Sequence, residues 1–156
     1  MKPKLYLETT IISYLTAWPS RDLITAAHQQ ITREWWEGRD RFDLFVSELV
    51  TREAGRGDAQ AATRRLELLR GIPVLSLTGE ATELAKELVS TGPLPEKSLA
   101  DALHISIAVL GGMDFLLTWN CTHLANAVIR HKIEQIFRTK GYDPPIVCTP
   151  EELTEV

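Results

Sequence analysis

Lys4-Leu5-Tyr6-Leu7-Glu8-Thr9-Thr10-Ile11-Ile12-Ser13-Tyr14-Leu15 is an apolar run, then an acid and a threonine pair, then a second apolar series with a different spacing. The first four residues read as a strand. Ile11, Ile12, Tyr14 and Leu15 fall at helical spacing, and the threonine pair is suited to cap the helix they begin. A strand that passes through one acid into a helix is the opening unit of an α/β chain.

The same alternation continues outward from this stretch. Asp22 to Glu37 reads as an amphipathic helix, with Leu23, Ala27, Ile31 and Trp35 at i, i+4 steps. Phe42 to Val46 is a second strand, and Ser47 is placed to cap the helix carrying Leu49, Val50 and Glu53. A helix over Asp58–Arg70, a strand over Pro73–Leu77 and a helix over Glu80–Val89 follow. Gly92, Pro93 and Pro95 then mark a loop. Ser98 to Leu110 is an apolar helix closed by Gly111 and Gly112. Phe115 to Trp119 is a fourth strand. A helix is expected from Asn120 to about Lys140, and Pro145 to Cys148 is a final strand. Thr149-Pro150-Glu151-Glu152 has the form of a capping box. Continuous apolar strands alternating with helices predict a parallel sheet covered on both faces. No repeat or linker interrupts the pattern, so residues 1–156 are expected to form a single domain.

Composition narrows the function classes. Hydrophobic residues make up 44% of the chain, yet no apolar run is long enough to span a bilayer. The N-terminus shows no signal-peptide pattern, so a cytoplasmic location is expected. Cys121 and Cys148 have neither a CxxC nor a zinc spacing and read as reduced thiols. The net charge of -4 counts against a broad phosphate-binding surface, although a carboxylate metal site would itself contribute negative charge.

In folds of this class, ligands bind beyond the carboxyl ends of the strands. Glu8 follows the first strand, and Thr118, Trp119 and Asn120 end the fourth. Two helices add acids: Glu53, six positions after Ser47, and Asp101, which stands among apolar or small neighbours. Burying an unpaired carboxylate is expensive, and a metal ion can offset the cost. Thr9 and Thr10, at the start of the first helix, are candidate phosphate contacts.

Tyr6-Leu-Glu-Thr-Thr-Ile-Ile-Ser, Ser47-x-Leu-Val-x-x-Glu53, Asp101-Ala-Leu-His-Ile-Ser-Ile-Ala and Leu117-Thr-Trp-Asn-Cys-Thr-His-Leu-Ala-Asn resemble the four ordered motifs of PIN-domain proteins, a family that includes VapC-type toxins. The resemblance runs from Leu5 to the terminal strand. It implies a PIN-like three-layer sandwich, with a central, mostly parallel sheet of about five strands flanked by helices. It also implies a site for Mg²⁺ or Mn²⁺, endoribonuclease activity on an RNA substrate, an antitoxin protein as partner and a homodimer. Carried over by position, Glu8, Glu53, Asp101 and Asn120 are the catalytic and metal-binding set. Thr9, Thr10, His104, Thr118, His123 and Asn126 are candidate substrate contacts. Two departures stand out: Glu8 replaces the commoner Asp, and Asn120 stands where a fourth acid is common.

Simpler roles remain open for most of these residues. Glu8 can cap a helix, Glu53 can be a solvated helix acid, and Asp101 can pair with an Arg. His104 can be a packed, hydrogen-bonded histidine. His123 and Asn126 can cap and brace a helix instead of touching substrate. Two rival functions are set against the nuclease: a catalytically weak PIN-like module that binds RNA or protein, favoured by Asn120, and a phosphoryl-accepting receiver-like domain. The receiver needs an Asp ending its third strand and a Lys near the last, where this chain has Leu77-Thr78-Gly79 and Val147-Cys148-Thr149.

Overall fold

The computed structural model describes residues 1–154. All five predicted strands form: β1 (Lys4–Leu7), β2 (Asp43–Ser47), β3 (Val74–Leu75), β4 (Phe115–Leu117) and β5 (Ile146–Cys148). They make one sheet in the order β3-β2-β1-β4-β5, and every neighbouring pair is parallel. The helices are α1 (Thr9–Thr16), α2 (Leu23–Glu37), α3 (Glu48–Ala54), α4 (Ala59–Leu68), α5 (Gly79–Ser90), α6 (Leu99–Leu110) and α7 (Ala127–Thr139). This is the α/β sandwich expected from the alternating pattern.

β1 is central because it is apolar on both faces. Leu5, Tyr6 and Leu7 are fully buried, as are Leu116 and Leu117 of the neighbouring β4. Burying each such leucine stabilises the fold by roughly 2 kcal/mol. Register aligns Leu5 with Phe115 and Leu7 with Leu117, and the Glu8 N–H donates to the Leu117 carbonyl at 3.0 Å. The chain steps from β1 outward to β2 and β3, then returns to the other side of β1 for β4 and β5. The strand order therefore reverses between β1 and β4, the position where sheets of this kind open a crevice at their carboxyl edge.

Three local expectations are corrected. The threonine pair does not cap α1: Glu8 occupies the N-cap position, and Thr9 and Thr10 lie inside the helix. β3 is only two residues long, because it is an edge strand with Val74 half-exposed and only Val46 and Ser47 as partners. The helix expected from Asn120 starts at Ala127. The reason is side-chain competition for backbone donors. Asn120 Oδ1 accepts from the His123 N–H at 3.1 Å, which holds residues 121–125 in a turn, and Asn126 Oδ1 then accepts from the Val128 and Ile129 N–H groups to cap α7. At the end of α6, Gly112 has φ +69°, a left-handed conformation that suits glycine and turns the chain toward β4.

Candidate active site

The carboxyl ends of β1 and β4 carry the densest group of buried polar residues. Glu8 is 5% exposed. It stands at the N-cap of α1 but makes no capping hydrogen bond. Its Oε1 instead accepts from the Thr10 hydroxyl at 2.5 Å and the Thr118 hydroxyl at 2.6 Å. The simpler capping role is therefore not the one its side chain adopts. Thr118 Oγ1 also accepts from the Asn120 N–H, and Thr10 Oγ1 from the Trp119 N–H, both at 2.9 Å, so β4 and α1 are laced together across the site. Trp119 fixes this segment further: its indole N–H donates to Thr32 at 2.7 Å, and its ring stacks on His28 at 4.0 Å.

Glu53 reaches the same place from α3, a short helix capped by Ser47, whose Oγ accepts from the Val50 N–H. Glu53 Oε1 accepts from the Thr9 hydroxyl at 2.6 Å and from His104 Nε2 at 2.7 Å. Burial alone would raise the Glu53 carboxyl. The hydrogen bond from His104, the Thr9 hydroxyl and the positive charge of Arg56 together hold it below the usual carboxylate value. Behind it, His104 Nδ1 lies 2.7 Å from Tyr6 Oη, which lies 2.8 Å from Ser47 Oγ. Burial pushes the Tyr6 phenol far above its ordinary value, so it stays protonated and able to donate.

Asp101 lies in the first turn of α6, where a helix favours negative charge. Its Oδ1 accepts from Asn120 Nδ2 at 2.8 Å, and its Oδ2 from His123 Nδ1 at 3.0 Å. Ser98 Oγ also lies 3.1 Å from His123 Nδ1. Among the described residues no Arg or Lys pairs with Asp101, so the expected alternative of a salt bridge with an Arg is not what the structure builds. The Asn120 amide orientation is fixed by its two partners: the oxygen must face the His123 N–H, and the NH₂ must face the carboxylate.

A sequence model of the PIN domain matches residues 5–120. The chain belongs to the PIN-domain family. Solved structures agree with the fold. The chain is similar to VapC20 of Mycobacterium tuberculosis, a sarcin-ricin loop cleaving toxin, with a TM-score of 0.57 and 18% identity over 72% of this chain and 86% of that one. It is also similar to a chain of VapBC2 from Rickettsia felis, solved bound to a DNA fragment from its promoter, with a TM-score of 0.52 and 15% identity over 94% and 98% of the two chains. No curated protein matches in sequence.

Within this PIN domain the expected acids form two adjoining groups. Among the described residues, Glu8, Glu53 and His104 each place one ligand-type atom within 4.8 Å of the others. Asp101 is outside that trio and forms a pair with Asn120, which is linked to Glu8 through Thr118. Thr9, Thr10 and Thr118 direct their hydroxyl protons to the glutamates, and Asn126 caps α7. The donor set suits a hard dication. Among the described residues, Oε2 of Glu8 and Oε2 of Glu53 have no hydrogen bond, so two carboxylate oxygens are left to bind one. Tyr6 was missed as a site residue because it sits in an apolar strand. Period-two alternation puts it on the same face as Glu8, a signal that was present in the sequence. Ser98 offered no comparable signal.

Proposed function

We propose that this PIN-domain chain is an endoribonuclease that uses Mg²⁺ or Mn²⁺ and serves as the toxin of a type II toxin–antitoxin pair. The observation that carries the reading is the convergence of Glu8 and Glu53 beside the Asp101–Asn120 pair, at the edge where the strand order reverses. A bound dication lowers the pKa of a coordinated water and neutralises charge developing on the phosphate. Glu8, Glu53 and Asp101 supply the negative charge that retains it. Thr9, Thr10, Thr118 and His104 orient the two glutamates, and Asn120 orients Asp101. In this reading His123 contacts RNA through the 20% of its side chain that is exposed, while its Nδ1 stays engaged with Asp101.

The toxin role draws support from the two VapC-type neighbours, one of them a toxin that cleaves the sarcin-ricin loop. It brings with it an antitoxin partner and a homodimer. An inhibiting antitoxin is expected to approach Glu8, Glu53 and Asp101 with a cation, most simply an Arg, whose fork matches carboxylate geometry. Among the described residues no helix is long and apolar enough to cross a membrane.

One feature favours a second reading, in which the module binds RNA or protein without cutting: Asn120 presents a donor to Asp101 in place of a fourth charge. Sequencing RNA 5′ ends after expression in cells separates the two. The nuclease reading expects discrete new ends with the wild type and none with Asp101→Asn. RNA recovered by crosslinking with no new ends would favour the binding module.

A further inference from the structure

We propose that His104 is a positioning residue: it donates from Nε2 to Glu53 and thereby fixes which Glu53 oxygen is presented to the metal, without ligating the metal itself. The inference rests on the metal-dependent reading above and adds to it the role of the Ser47–Tyr6–His104 chain. Proximity alone makes His104 a third ligand candidate, since it shares the 4.8 Å cluster with Glu8 and Glu53. Proton counting assigns it differently.

Ser47 is fully buried, and its Oγ already accepts from the Val50 N–H. Its single proton has one acceptor among the described residues, Tyr6 Oη at 2.8 Å. Tyr6 must then donate its own proton to His104 Nδ1 at 2.7 Å. Nδ1 is therefore an acceptor, and the ring proton sits on Nε2, where it meets Glu53 Oε1 at 2.7 Å. The opposite polarity fails. If Nδ1 donated to Tyr6 and Tyr6 to Ser47, the Ser47 proton would have no acceptor in a fully buried position. If Nδ1 carried the only ring proton, a bare Nε2 would face a carboxylate oxygen at 2.7 Å, two acceptors in contact.

With both ring nitrogens committed, His104 has no lone pair left for a metal. Glu53 Oε1 is filled by two donors, His104 and Thr9, so Oε2 is the oxygen that remains. Glu8 is arranged in parallel, with Thr10 and Thr118 on its Oε1. Each glutamate is thus set to offer one oxygen. Partners of this kind, standing behind a ligand, commonly change metal affinity by about 10- to 100-fold when removed.

Two measurements test this. Long-range ¹H–¹⁵N NMR of the wild type should show His104 protonated on Nε2 and bare on Nδ1, both without metal and with Mg²⁺. A bare Nε2, or an Nε2 resonance that moves as a coordinated nitrogen does when Mg²⁺ is added, overturns the assignment whether or not any variant folds. Calorimetric titration with Mn²⁺ should show binding weakened about 10- to 100-fold in Tyr6→Phe and His104→Leu. Part of the affinity should be recovered in His104→Gln, whose amide can still donate to Glu53. Wild type that binds Mn²⁺ with Tyr6→Phe and His104→Leu binding equally well overturns this inference alone. Wild type that binds no Mn²⁺ overturns the metal reading and this inference with it.

Discussion

Asn120→Asp would place a carboxylate where an amide now donates to Asp101 at 2.8 Å. The substitution removes a hydrogen bond to a charged acceptor, worth about 1.5–3 kcal/mol. It also adds like-charge repulsion. After the two groups relax to about 4 Å, this is about 1 kcal/mol in water and about 4 kcal/mol at an effective dielectric of 20. Asp101 keeps only 19% of its side chain exposed, so screening is partial and the repulsion lies between these two values. A loss of about 3–5 kcal/mol without metal follows, a fall in Tm of roughly 6–20 °C for a domain of this size. Repulsion raises the folded-state pKa of one carboxyl of the new pair above its unfolded value. The penalty is therefore present above that raised pKa and fades as pH falls through it. A dication should offset the repulsion, so Mg²⁺ should stabilise the variant more than the wild type and bind it more tightly. The assay is thermal unfolding of both proteins at pH 7 and pH 4.5, in EDTA and in Mg²⁺. A variant as stable as wild type in EDTA at pH 7, or a deficit that does not change with pH, would refute the Asn120–Asp101 contact and the reasoning built on it.

Three further outcomes are expected. Asp101→Asn should abolish cleavage while costing only about 1.5–3 kcal/mol of stability, because its amide cannot accept from both Asn120 and His123 as the carboxylate does; denaturant unfolding and an RNA cleavage assay check both parts, and retained cleavage would remove Asp101 from the site. Asn126→Ala should cost about 1 kcal/mol through the lost α7 cap and leave cleavage unchanged, so a fall in activity at equal folding would restore Asn126 as a substrate contact. The Glu53 carboxyl is held below its ordinary value of 4.5, so its contribution to stability is present above that value and is lost as pH falls through the lower folded-state value; the stability gap between wild type and Glu53→Gln should narrow below pH 4.5, and a constant gap down to acid unfolding would contradict it.

The strands were legible because buried parallel strands are apolar on both faces, as Leu5 to Leu7 and Phe115 to Leu117 are. Glu8 and Asn120 were legible as polar residues following such runs and Asp101 as an acid among apolar helix neighbours, whereas Glu53 stood out only through the resemblance of the Ser47–Glu53 stretch to a family motif. The helix start after β4 was not, because periodicity does not say whether Asn120 and Asn126 will take backbone donors from a helix. The grouping of the acids was hidden for a different reason. Tyr6 meets Ser47 across 41 residues, His104 meets Glu53 across 51, and Tyr6 meets His104 across 98. Such contacts depend on the order β3-β2-β1-β4-β5, which brings β1, α3 and α6 to one edge and which no local spacing encodes. The division into a glutamate pair held by threonines and His104, and an aspartate held by Asn120 and His123, follows from that order and from where each proton goes.

The most direct test of a carboxylate-bound metal in RNA cleavage is a side-by-side assay of purified wild type and Glu8→Gln, prepared identically, on a structured RNA with Mn²⁺ and then with EDTA. Glu8→Gln keeps the shape of a 5% exposed side chain and removes the charge that would retain the ion. Wild type should cut at discrete sites with Mn²⁺ and stop with EDTA, and the variant should not cut in either condition. Cleavage by wild type that persists in EDTA, or equal cleavage by Glu8→Gln, would contradict the metal-dependent site.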